Sequence, residues 1–133
     1  MEFMLDTNIC IYIIKRNPAP VLARLRRCSP GEICISAITL CELAYGAQKS
    51  SRPEINKLAL AEFVTPLEIA PLGDLAAARY GVIRALLEKQ GRSIGPLDML
   101  IAAHALALNL TLVTNNEREF RRVPHLRIAN WAK

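Results

Sequence analysis

Short apolar runs alternate with stretches of helical periodicity along the whole chain, and this alternation limits the fold more than any single residue does. Met1–Leu5, Glu32–Ser36, Leu67–Ala70 and Leu110–Val113 read as strands, and Leu126–Ala129 as a last edge strand. Helices are expected over Ile9–Lys15, from Pro18 to about Arg27, over Ala37–Gln48 and over Pro53–Val64. Further helices are expected from Asp74 to about Gln90, over Pro96–Leu108 and over Glu117–Phe120. Asn17-Pro18, Ser29-Pro30-Gly31, Ser51-Arg52-Pro53 and Gly91–Gly95 punctuate these segments. Thr7 or Asn8 is placed to cap the first helix, and Asp74 the long fifth one. In that fifth helix Leu75, Ala78, Val82, Ala85 and Leu86 recur at the spacing of a helical face. Strands alternating with helices imply an α/β domain with a central, mainly parallel sheet of four to five strands. Neither an internal repeat nor a linker interrupts the pattern, so residues 1–133 are expected to form a single domain.

Composition removes several function classes. Hydrophobic residues make up 52% of the chain and mean hydropathy is +0.21, which suits a densely cored domain without a disordered tail. No apolar run approaches the ~18 residues of a membrane helix, so no membrane association is expected. Glu2 and Asp6 stand where a signal peptide would be positively charged, and a cytoplasmic protein is therefore expected. Cys10, Cys28, Cys34 and Cys41 lack C-x-x-C spacing, and three of them lie in apolar segments. Buried free thiols are expected rather than disulfides or a zinc site. His104, within an Ala/Leu helix, and His125, in a late loop, are read as structural.

Four acids stand where a soluble domain has little structural use for them. Asp6 directly ends the first strand, and Glu42 lies in the nearly uncharged segment Ile38–Gly46. Asp98 falls in the first turn after Pro96, and Glu119 follows Thr114-Asn115-Asn116 just beyond the fourth strand. Ligands of open α/β sheets bind outside the carboxyl ends of the strands. Helical side chains lean toward the N-terminus of their helix, so Glu42 leans back to that same edge. Four connections thus deliver an acid to one rim. Taken singly, Asp6 could be a helix cap, Asp98 a partner of the helix dipole, and Glu119 part of a solvated turn.

Gathered carboxylates repel one another, at about 3 kcal/mol per pair for ~5 Å separation and an effective dielectric of ~20. A shared cation removes that cost, and oxygen-only ligands favour Mg²⁺ or Mn²⁺ over zinc. Thr7, Asn8, Ser36, Thr114 and Asn116 are expected at the same rim, where they can orient carboxylates or water; each could equally be a cap or turn former. Net charge is +5, and if four of the 12 acidic residues line one pocket, eight remain against 17 basic ones elsewhere. A basic exterior around an acidic, cation-binding site suits a polyanionic substrate, and the combination reads as a metal-dependent nuclease.

These motifs carry a resemblance that runs the length of the chain. Leu5-Asp6-Thr7-Asn8, Ile35 to Leu43 with Tyr45-Gly46, Gly95 to Ala102, and Leu112 to Asn116 with Glu119-Phe120 resemble the PIN-domain ribonucleases. More narrowly, they resemble the VapC toxin family of VapBC type II toxin–antitoxin modules. The resemblance implies a compact α/β/α sandwich that dimerises and cuts RNA with Mg²⁺ or Mn²⁺. It also implies a small VapB antitoxin that blocks the pocket, and a complex that binds operator DNA and represses its own operon. Transfer RNA, including the anticodon stem-loop of initiator transfer RNA, is the implied substrate.

Asp6, Glu42 and Asp98 match the family's three principal acids. Where many members have a fourth acid this chain has Asn116, and Glu119 is the residue that could take its place. Asp6 and Asp98 are assigned to direct metal contact, Glu42 to metal or water, and Glu119 to a second ion or its waters. Arg118, Arg121 and Arg122 are candidates for flanking phosphates, or else a solvated basic turn. The Ile9–Ile14 run and the Val21/Leu22/Leu25 face are candidates to anchor the antitoxin, or else core. Two rivals remain. One is a phosphatase with an aspartate nucleophile, disfavoured because Asn8 stands where a second acid is wanted; the other is a catalytically idle scaffold, for which Asn116 leaves room.

Overall fold

A computed structural model describes residues 1–133. The strands are β1 (Phe3–Leu5), β2 (Ile33–Ser36), β3 (Glu68–Ala70), β4 (Thr111–Val113) and β5 (Ile128–Ala129). The helices are α1 (Thr7–Lys15), α2 (Ala19–Arg26), α3 (Ala37–Lys49), α4 (Pro53–Val64), α5 (Asp74–Lys89), α6 (Pro96–Ala107) and α7 (Glu117–Phe120). All strand pairings are parallel, in the order β3-β2-β1-β4-β5. Phe3 pairs with both Ile33 and Thr111, and Leu5 with both Ile35 and Val113, so β1, β2 and β4 end level with one another.

Successive strand residues point to opposite faces of a sheet, and here both faces are covered. Met4, Cys34 and Leu112 pack with Ile83 and Leu87 of α5, with Met99, Ile101 and Ala102 of α6, and with Phe120. Leu5, Ile33, Ile35 and Val113 pack on the other face with Ile9 and Ile13 of α1, Val21 of α2, Leu43 of α3 and Trp131. The parallel sheet, including the short last edge strand, is as the alternation of elements implies, and the α/β/α sandwich is as the family resemblance implies.

Several local expectations are corrected. α1 begins two residues earlier than its apolar pattern, so Asp6 is its cap rather than Thr7 or Asn8. Gly73, not Asp74, stands at the N-cap position of α5, and Asp74 is the first helical residue. α5 also turns a different face inward from the one its apolar spacing marks. Ala76, Ile83 and Leu87 are buried, whereas Leu75 and Val82 remain 70% and 68% exposed. α5 carries two apolar stripes, and periodicity alone cannot say which one meets α6. All four cysteines are free, but only Cys10 and Cys34 are buried, and Cys41 is exposed. None of the helices is long and apolar enough to cross a membrane.

Candidate active site

The chain leaves β1 toward β2 and β3 on one side and later returns to place β4 and β5 on the other. The sheet therefore has its topological switch between β1 and β4, where α/β sheets form their ligand crevices. Asp6 follows β1 and Thr114 follows β4, so these two residues face each other across the switch. The Thr114 hydroxyl donates a short hydrogen bond to Asp6 Oδ2 and accepts the Asn116 N–H at 2.9 Å. Asp6 Oδ1 accepts the Ile9 N–H at 3.0 Å, which caps α1. Asp6 is thus both the cap of α1 and a member of the acidic rim. Only 4% of it is exposed. Burial pushes its carboxyl above the ordinary range, the hydrogen bonds from Thr114 and Ile9 pull it back, and the charge of Glu42 adds to the rise.

Glu42 projects from α3 toward the same rim, where Thr7 Oγ1 donates to its Oε1 at 2.5 Å. Thr7 is the first helical residue and Asp6 the cap, so the Thr7 hydroxyl is not used in capping. Asp98 lies in the first turn of α6. Its carboxyl is pushed up to about 6, first by burial and then by the charges of Glu42, Glu119 and Asp6. Glu119 belongs to α7, and the Asn116 side-chain amide donates to its Oε2 at 3.2 Å. Each of the four acids comes from a different connection, and Asp98 senses the other three.

No lysine or arginine neutralises this group, because the ion pairs are Arg84–Glu88, Arg121–Glu117 and Lys133–Glu117. The carboxylates share a field, although they do not stand as a closed three-ligand cage. The donor set still fits a hard divalent cation. It is all oxygen, it has no ammonium or guanidinium partner, and the charges of its other members help to raise the proton affinity of Asp6 and Asp98.

The supporting residues divide. Thr7, Thr114 and Asn116 bond to the acids, and the Asn8 backbone N–H assists Asp6. Ser36 does not turn to them. It accepts the Ile38 N–H at 3.0 Å as the cap of α3 and lies 2.8 Å from His104 Nδ1. Arg118 is exposed, Arg121 pairs with Glu117 at 2.9 Å, and Arg122 donates to the Ser93 carbonyl at 2.9 Å. A network the sequence does not advertise holds the turn between β4 and α7. Asn130 donates to Glu117 at 2.9 Å and to Asn115 at 3.2 Å, and Asn115 donates to the Tyr12 hydroxyl at 2.9 Å.

Beside the acids, Ile11, Ile14, Glu42, Leu43, Ala47 and Leu60 line a cavity of about 330 Å³. A second, of about 370 Å³, adjoins it through Ile14 and Ala59 and takes in Ile13, Leu22, Leu25 and Phe63. The two apolar runs singled out as anchors are therefore split: Ile9, Cys10 and Val21 belong to the core, while Ile11, Ile14, Leu22 and Leu25 line the grooves.

A family model described as the PIN domain matches residues 3–126, which places the chain in the PIN class. The chain is 48% identical over 132 residues to a tRNA(fMet)-specific endonuclease VapC of Shigella flexneri, with 99% of each chain covered. It is 48% identical over 131 residues to Ribonuclease VapC2 of Haemophilus influenzae, with 98% of each covered. Among solved structures, DNA-bound VapBC from Salmonella typhimurium contains a chain with a TM-score of 0.93 and 45% identity, 98% of each chain being covered. VapBC2 from Rickettsia felis, bound to a DNA fragment from its promoter, contains one with a TM-score of 0.91 and 44% identity, covering 98% of this chain and 99% of that one. The chain belongs to the PIN-domain family and, within it, to the VapC ribonucleases.

Proposed function

We propose that this protein is the toxin of a type II toxin–antitoxin module, a cytoplasmic endoribonuclease that uses Mg²⁺, or Mn²⁺ in its place, to cut transfer RNA. The observation that carries the metal is the set of four mutually repelling carboxylates without a counter-cation. Asp6 and Asp98 would hold the ion directly, Glu42 directly or through water, and Glu119 with Asn116 would complete the set. When bound, the ion supplies Lewis acidity toward the scissile phosphate and a more acidic water. The protein's own part is orientation. Thr114 and the Ile9 N–H fix Asp6, Thr7 fixes Glu42, and Asn116 steers Glu119. The net charge of +5 draws the RNA backbone toward the site.

Initiator transfer RNA is the leading substrate, cut at its anticodon stem-loop. Two relatives, 48% and 45% identical, carry the name tRNA(fMet)-specific endonuclease. Cleavage of purified initiator transfer RNA should require added Mg²⁺ or Mn²⁺ and stop with EDTA. Cleavage that persists in EDTA in a contaminant-free preparation would refute the metal.

The partner is a VapB-type antitoxin laid along the two joined grooves. Their apolar lining runs up to Glu42, so a segment seated there would also cover the acids. Complexes of VapBC type are among the similar structures, two of them bound to DNA and one of those to a promoter fragment, which supports operator binding through the antitoxin and repression of the module's own operon. A second copy of this chain is assigned to the outward stripe of α5. Exposed Leu75 and Val82 alternate there with exposed Ala78 and Ala85, whose small side chains let two helices approach closely.

A further inference from the structure

The sequence marks His104 as structural, yet it is the one side chain on α6 that bonds to the strand end from which α3 starts. Both members of the Ser36–His104 pair are buried, with 0% and 1% exposure, and 2.8 Å separates Ser36 Oγ from His104 Nδ1. Burial pushes the imidazole below its ordinary range, so the ring is neutral at pH 7 and carries one proton. The Pro71 carbonyl lies close enough to favour a proton on the ring, although Nε2 makes no hydrogen bond of good geometry. That proton is assigned to Nε2, which leaves Nδ1 as an acceptor for the Ser36 hydroxyl. Ser36 in turn accepts the Ile38 N–H at the start of α3. A single chain of polar contacts thus runs from α3 into α6.

The positions matter because of what each helix carries. Ser36 lies six residues before Glu42 and His104 six residues after Asp98, and Glu42 is the strongest of the charges that raise Asp98. Two helices bearing acids that repel each other are therefore tied by one buried hydrogen bond about two turns from each acid.

We propose that Ser36 and His104 form a brace that sets the separation of Glu42 and Asp98 for cation binding, which makes both positioning residues rather than ligands. This rests on the divalent-metal reading of the acidic site.

The test uses variants whose rankings reverse according to the role. His104→Leu roughly keeps volume and loses the acceptor. His104→Asn loses volume and keeps an acceptor, because its Oδ1 stands near the place of Nδ1. Mn²⁺ affinity of the metal-free protein is measured by electron paramagnetic resonance of the free ion, with thermal melting alongside. The brace predicts Mn²⁺ binding weakened about tenfold in His104→Leu and in Ser36→Ala, and within about twofold of parent in His104→Asn. The double variant Ser36→Ala/His104→Leu should bind no more weakly than the weaker single, since the two act as one unit. If His104→Leu does not fold, Ser36→Ala set against His104→Asn makes the same comparison.

Parental Mn²⁺ affinity in His104→Leu, or equal losses in Leu and Asn, would overturn the brace while leaving the metal site standing. Failure of the parent itself to bind Mn²⁺ would overturn the metal reading and the brace with it.

Discussion

Asp98→Asn should make the metal-free protein more stable at neutral pH, and only there. The Asp98 carboxyl is raised from 3.8 to about 6, by burial first and then by Glu42, Glu119 and Asp6. A carboxyl raised by the fold favours folding while protonated; that contribution is complete below pH ~4 and is lost as the pH climbs through about 6. Taken whole, a shift of this size corresponds to ~3 kcal/mol. The carboxyl is only half-buried, and solvent screening reduces the figure to about 1–2 kcal/mol. Asparagine has nearly the same shape, and Asp98 takes no hydrogen bond that would be lost. It does give up a favourable interaction with the N-terminal end of α6, worth about 0.5 kcal/mol.

The net gain is about 1 kcal/mol, or a rise in Tm of roughly 3–5 °C for a domain of this size. Melting followed by circular dichroism, in EDTA at pH 7.5 and at pH 4, would show the rise at the first pH and none at the second. Adding Mn²⁺ at about a hundred times its Kd should stabilise the parent by about 2.7 kcal/mol and the variant far less, reversing their order. A variant less stable than the parent at pH 7.5 in EDTA, or a gain of equal size at pH 4, would refute this account of the site.

Asp6→Asn should leave the fold intact, since asparagine also caps helices, while abolishing cleavage. Expression of the parent should arrest growth and that of Asp6→Asn should not; equal toxicity would detach the toxin role from the acids. Glu119→Gln should reduce cleavage more than Asn116→Ala, because a carboxylate gives charge to a cation where an amide gives only a dipole. A silent Glu119→Gln beside an inactive Asn116→Ala would transfer the fourth position to the amide, and steady-state kinetics decides between them. Val82→Glu, on the outward face of α5, should shift the chain to monomer in analytical ultracentrifugation with its melting temperature changed little; an unchanged mass would place the dimer contact elsewhere.

The sequence by itself determined the element order, the parallel sheet and the places at which Asp6, Glu42, Asp98 and Glu119 enter. These are local matters. A period of two or of 3.6 residues, a proline at a helix start and an acid one residue past a strand are written within a few positions of one another. Tertiary structure alone decided how the acids and their neighbours are used. Asp6 caps α1, while Thr7, its first helical residue, reaches Glu42 across 35 positions. Ser36, placed by its strand end among candidates to support the acids, turned to a histidine 68 positions away.

The same reason hid the rest. α5 offers two apolar stripes of equal periodicity, and only contact with α6 selects the one through Ala76, Ile83 and Leu87. The network that steadies the turn before Glu119 joins Tyr12 to Asn115 across 103 positions, with Asn130 beyond, and no local pattern encodes such a pairing. Backbone periodicity fixes where an acid leaves the sheet, but the direction its hydrogen-bond partners face depends on which distant elements the closed sandwich brings beside them.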